Sequence, residues 1–82
     1  MWLKRKDSLY NLDHFDSVKL DYEYENNRYY FVLMSATREN RDREIKIGPF
    51  SKADATSYLN QVIAALDAGV VIWEFPEKEE QL

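Results

Sequence analysis

Residues Val18 to Ser35 carry the pattern that most restricts how this chain can fold. From Val18 to Glu25 the sequence alternates, with Val18, Leu20, Tyr22 and Tyr24 set against Lys19, Asp21, Glu23 and Glu25. A period of two places one set on each face of a β-strand. Asn26 and Asn27 follow, and asparagine tolerates the positive φ of a tight hairpin turn. Arg28 to Ser35 then returns as the second strand. A two-residue loop pairs Glu25 with Arg28, Tyr24 with Tyr29, Tyr22 with Phe31 and Leu20 with Leu33, so the apolar pairs share one face. The other face sets Arg28, Tyr30, Val32 and Met34 opposite Glu25, Glu23, Asp21 and Lys19. It is half apolar, which predicts a cover: a dimer mate, or the N-terminal hairpin folded over it.

A chain of 82 residues holds one modest core, burying roughly 60% of the surface its unfolded form exposes. Cores of that size are commonly reinforced by disulfides, a metal or oligomerisation. The sequence has no cysteine and one histidine, which removes disulfides and argues against structural zinc. Oligomerisation remains, and no cofactor is expected. Met1 to Lys6 places charge where the apolar core of an export signal would begin, and no run reaches the length of a membrane span. The expected setting is therefore cytoplasmic, with no membrane partner.

Along the chain, Trp2–Lys6 reads as a strand, Asp7-Ser8 as a turn, and Leu9–Leu12 as the returning strand. Asn11–Asp16 is rich in turn formers and suits one helical turn. Residues 37–42 are wholly polar and read as an exposed loop. Glu44–Gly48 alternates again. Gly48-Pro49-Phe50-Ser51 converts strand to helix, with Ser51 as N-cap and Asp54 completing an S-x-x-D box. Ala53, Ala55, Leu59, Val62, Ile63 and Leu66 form the expected apolar stripe of a helix over about 51–68, which Gly69 ends. Val70–Phe75 is β-branched and nearly all apolar, a strand stopped by Pro76. If unpaired, it would be an unguarded edge, so it is expected to pair within its sheet or with a second chain. The sum is an α+β domain over residues 1–76: an antiparallel sheet of four to six strands, one long helix on one face, and a C-terminal strand at about 70–75. Residues 77–82 form a charged tail.

Little in the sequence suggests catalysis. His14 lies between Asp13 and Asp16 in a turn, without a nucleophile beside it, and reads as a turn residue. Asp21, Glu23 and Glu25 alternate with core positions and face Arg28, so surface ion pairing accounts for them. The two glycines have structural roles, leaving no glycine-rich phosphate loop. The chain is therefore not expected to be an enzyme.

Charge is unevenly placed. Residues 1–48 hold nine basic and nine acidic side chains, whereas residues 49–82 hold two and six. That balance disfavours a generic nucleic-acid binder. Lys4, Arg28, Tyr30, Arg38, Arg41 and Arg43 nevertheless combine cations with an aromatic ring, the chemistry of single-stranded nucleic-acid binding. Glu39, Asp42 and Glu44 interrupt these arginines, so self-paired surface charge is the favoured reading.

Ile45-Lys46-Ile47-Gly48-Pro49-Phe50-Ser51, followed by Ala53, Ala55 and Leu59, resembles the strand–turn–helix unit of SPOR domains, which bind peptidoglycan and have two helices. The order of four strands and a helix over residues 2–69 is similar to the dimeric PC4-like domains that bind single-stranded DNA. Trp2-Leu3-Lys4, Asn11-Leu12-Asp13-His14 and the Gly-Pro-Phe-Ser turn together resemble small uncharacterised bacterial and phage proteins. From the half-apolar sheet face and the unguarded last strand, the expectation is a non-enzymatic association domain acting as a homodimer or with another protein. Tyr30, Val32, Met34, Ile72 and Trp73 are its candidate contact residues, and single-stranded nucleic-acid binding is the alternative.

Overall fold

The structure is a computed structural model and describes residues 1–36 and 42–76. Strands β1 (Trp2–Arg5) and β2 (Ser8–Asn11) form a hairpin, followed by one 3-10 turn at Leu12–His14. Strands β3 (Ser17–Glu23), β4 (Arg28–Ala36) and β5 (Asp42–Phe50) precede helix α1 (Lys52–Asp67) and a short strand β6 (Ile72–Glu74). The fold is α+β. Its strands make two sheets of three, in the orders β2-β1-β6 and β3-β4-β5, rather than the single sheet expected from the sequence. The difference comes from β1, whose second edge is taken by β6 in parallel, Leu3 beside Trp73. No edge of β1 is left to extend the larger sheet.

The long hairpin forms with a register two residues away from the one the Asn-Asn turn suggests. Glu23 pairs with Arg28, Tyr22 with Tyr29, Leu20 with Phe31 and Val18 with Leu33, leaving Tyr24–Asn27 as a four-residue loop. Two side-chain bonds close it: Tyr22 Oη donates to Asn27 Oδ1 at 2.8 Å, and the Asn26 amide donates to Glu23. Asn27 takes the left-handed conformation, φ 51°. Because side chains alternate, a slip of two keeps the residues that stay in the strands on their expected faces, whereas Tyr24 and Glu25, expected in the first strand, lie in the loop.

One face of β3-β4-β5 supplies the core. Phe31 and Leu33 of β4 cluster with Ile47 and Phe50 of β5, with Ala55, Tyr58 and Val62 of α1, and with Leu3, Leu12 and Phe75. Helix and smaller sheet therefore lie on the same side. Phe31 meets Phe75 edge-on at 5.1 Å, and Phe50 stacks on Phe75 at 5.5 Å. The N-terminal hairpin belongs to this inner layer and does not cover the outer face. There, Val32 is fully buried. It registers between Lys19 of β3 and Lys46 of β5, whose long aliphatic stems suit a shielding role.

Ser51 caps α1 by accepting from the Asp54 amide at 3.1 Å, as the sequence predicts. At the other end Val70 N–H bonds the Ala65 carbonyl and Gly69 N–H that of Leu66, a Schellman closure with Gly69 at φ 71°. The buried stripe is Ala55, Tyr58, Val62 and Ala65, while Ile63, Leu66 and Ala53 lie exposed and Leu59 is half-buried. Tyr58 turns the helix this way. Its ring meets Phe50 at 5.3 Å and both Trp73 and Phe75 at 6.0 Å. An aromatic that fills such a box outweighs the leucine and isoleucine one turn away.

Candidate functional site

Strand β6 is the edge of the smaller sheet, and the bonds that hold it fix which of its backbone groups are used. Trp2 N–H donates to Val71 O at 2.7 Å, and Phe75 N–H donates to Lys4 O at 2.9 Å. In a parallel pair the same strand residues alternate toward and away from the neighbour, so the N–H and C=O of Ile72 and Glu74 point to the open side. Among the described residues no strand lies beyond them. Ile72 is 53% exposed and sits beside Trp2 in register, also exposed. Val70 and Val71, leading into β6, are exposed as well. Lys4 and Glu74 form an exposed ion pair of 3.9 Å on the same face. Trp73 instead points inward, half-buried, 4.8 Å from Phe75.

Of the residues singled out for contact, Tyr30, Val32 and Met34 share the outer face of β4, whereas Ile72 and Trp73 lie on opposite faces of β6. They do not form one surface. Tyr30 and Met34 are half-buried. Lys46 crosses this outer face, with Nζ 3.7 Å from Asp21 and 3.9 Å from Glu44, and 5.9 Å from the centre of the Tyr30 ring. Trp2 and Val71 were missed as members of the exposed patch. The signal for Trp2 is the parallel pairing of the first and last strands, which no local pattern reveals.

The basic residues are likewise separated. Lys4 is on the smaller sheet, paired with Glu74, while Arg28 stands at the tip of the long hairpin. Arg38 and Arg41 lie outside the described residues, as does the side chain of Arg43. At the hairpin tip a second feature appears. A cleft of about 650 Å³ opens between the loop and the start of α1, lined by Tyr22, Asn26, Asn27, Arg28, Tyr29, Ser51 and Lys52.

His14 is exposed in the 3-10 turn, its Nε2 3.4 Å from Asn11 Nδ2. Among the described residues no group of three histidine, cysteine or carboxylate side chains could hold a metal ion. No helix among them is long and apolar enough to cross a membrane. The Ile45–Ser51 segment that resembles a SPOR unit forms the end of β5 and the helix cap, and five strands, not four, precede α1. Compared with known proteins, the chain matches no family model, and no curated protein or solved structure matches it significantly.

Proposed function

We propose that this chain is a non-enzymatic cytoplasmic association domain that pairs with a second copy of itself through the open edge of β6. The observation that carries this reading is the exposed Ile72, whose backbone groups and side chain both face solvent beside Trp2. An edge strand with unpaired backbone is a template for another strand. Antiparallel pairing about Ile72 is self-complementary: Ile72 N–H of each copy meets Ile72 C=O of the other, as a two-fold interface requires. The outer faces then join into one apolar strip of Trp2, Ile72, Ile72 and Trp2. Glu74 of one copy falls opposite Val70 of the other, so no like charges are opposed.

Light scattering across a concentration series tests the reading on the full chain. The expected result is a monomer–dimer equilibrium that Ile72→Lys abolishes while leaving the melting temperature of the monomer nearly unchanged, since the side chain is exposed. A parent that stays monomeric throughout overturns homotypic pairing. A stable complex with a different protein, lost in Ile72→Lys, would keep the edge as the interface and replace the partner.

A further inference from the structure

We infer that the cleft between the tip of the long hairpin and the start of α1 is a binding site for single-stranded nucleic acid. Tyr24, whose ring meets that of the lining residue Tyr22, is a stacking platform at the margin of the cleft, and Arg28 and Lys52 of its wall hold phosphates. Among the described residues Tyr24 is the most open of the large hydrophobic side chains, 85% exposed, and its ring lies against a neighbouring tyrosine. It meets Tyr22 edge-on at 4.7 Å, and Tyr22 meets Tyr29 at 4.8 Å. Tyr22 is itself tied to Asn27 at 2.8 Å. The Tyr22 contact limits where the Tyr24 ring can point, and such preorganisation lowers the cost of stacking a ligand on it.

The charge of the cleft suits the same ligand. Its wall contains two cations, Arg28 and Lys52, and no carboxylate. Neither cation makes an ion pair with a described residue. The Ser51 hydroxyl is occupied by the Asp54 amide, so the helix contributes the Lys52 charge rather than an open cap. Asn26 and Asn27 add amide groups able to bond base edges. Rings beside cations bind strands of bases joined by phosphates with little sequence preference. Three carboxylates stand nearby: Glu23, the register partner of Arg28, Glu25 in the loop, and Asp54, whose amide bonds the Ser51 hydroxyl. They oppose an anionic ligand, and so removing one is informative.

The test is fluorescence anisotropy of a labelled short oligothymidylate with the full chain, at low and at physiological salt. Binding is expected at low salt and should weaken steeply as salt rises. Tyr24→Ala should weaken it about five-fold or more. Arg28→Ala and Lys52→Ala should each flatten the logarithmic salt dependence by about 0.7, and Glu25→Gln should tighten binding. All four side chains are exposed, so unchanged melting curves separate loss of binding from loss of fold. No binding by the parent at low salt overturns the inference. So does binding that Tyr24→Ala leaves intact, or equal affinity for duplex of the same length. The association proposed for β6 involves none of these residues and is read independently.

Discussion

The guanidinium of Arg5 joins the two sheets: its Nη1 donates to the Gly48 carbonyl at 2.9 Å, and its carbon lies 5.0 Å from the centre of the Phe50 ring. Arg5 ends β1 of the smaller sheet, while Gly48 and Phe50 belong to β5 of the larger one. Among the described residues no backbone ladder connects the sheets, so this polar bridge supplements the shared apolar core. A charged donor to a carbonyl is worth about 1.5–3 kcal/mol when shielded, and less when half-exposed. Arg5→Ala is expected to lower stability in urea unfolding by about 1–2 kcal/mol, cation–π contact included. Lysine cannot reproduce a planar fork lying over a ring, so Arg5→Lys should recover only part of it. As a control, Glu74→Gln, which breaks an exposed ion pair, should change stability by no more than about 0.5 kcal/mol. Equal effects of Arg5→Ala and Glu74→Gln would show that the bridge contributes nothing special.

Gly48 and Gly69 both have a positive φ, 155° and 71°, but only Gly48 is crowded as well. The β4–β5 ladder shifts register between Tyr29 and Phe31, so Gly48 and Pro49 fill a bulge opposite Tyr30. A Cβ on Gly48 would lie 2.8 Å from Tyr30 Cδ1 and 3.0 Å from the Tyr29 carbonyl oxygen, whereas one on Gly69 meets nothing within 4 Å. Gly48→Ala must displace a central strand's backbone and should cost about 1–3 kcal/mol. Gly69→Ala carries only the left-handed backbone penalty, about 1 kcal/mol, and Gly69→Asn should recover part of it. Thermal denaturation of the three variants gives the order; a milder effect at Gly48 than at Gly69 would contradict the packing of Tyr30 over the bulge.

The orientation of α1 gives a third expected outcome. Tyr58 is almost fully buried among Phe50, Trp73 and Phe75, while Leu66 is half exposed. Tyr58→Ala should lose about 3–5 kcal/mol, the range for removing a core aromatic, enough to threaten a small domain. Leu66→Ala should fall within about 0.5 kcal/mol. Tyr58→Phe should be nearly neutral, because among the described residues no hydrogen bond of its hydroxyl anchors the ring. If Leu66→Ala in dilute, monomeric protein were as damaging as Tyr58→Ala, the helix would present the face that hydrophobicity alone suggests.

What the sequence made legible follows the range of the forces involved. The Ser51 cap, the Gly69 terminus, the 3-10 turn near Asn11–Asp16 and the faces of β3 and β4 depend on neighbours a few residues away, and all appear as read. The pairing of β6 with β1 depends on contacts across seventy positions of chain, Trp2 beside Ile72, and periodicity carries no record of them. The helix stripe failed for a related reason. Helical spacing admits Leu59, Ile63 and Leu66 as readily as Tyr58 and Ala65, and only the aromatic box built by Phe50 and Phe75 decides between them. The patch around Ile72 was half legible: Ile72 stood out as an apolar residue of an unguarded strand, whereas Trp2 became its neighbour only through the parallel ladder. The tyrosines and cations of the hairpin cleft come together because α1 begins beside the turn, which no local motif announces.

The register of the long hairpin can be read chemically. The structure pairs Glu23 with Arg28, whereas a two-residue turn at Asn26-Asn27 would pair Glu23 with Tyr30. The chain has no cysteine, so pairs can be introduced without competing thiols. A disulfide forms readily only when the two Cα atoms are within about 7 Å and the Cβ atoms point toward each other. Glu23→Cys with Arg28→Cys should therefore oxidise to an intramolecular bridge, detected by mass spectrometry with and without reductant. Glu23→Cys with Tyr30→Cys should remain reduced or cross-link between molecules, since those residues lie one diagonal step apart on the same face, too far for direct bridging. Tyr22 supplies the physical reason to expect the first result. Its hydroxyl bonds Asn27 across the four-residue loop, and Tyr22→Phe should weaken the preference for that loop. If the Glu23–Tyr30 pair oxidised instead, Tyr24 would return to the strand as an apolar face residue, and the exposed platform at the hairpin tip would not exist.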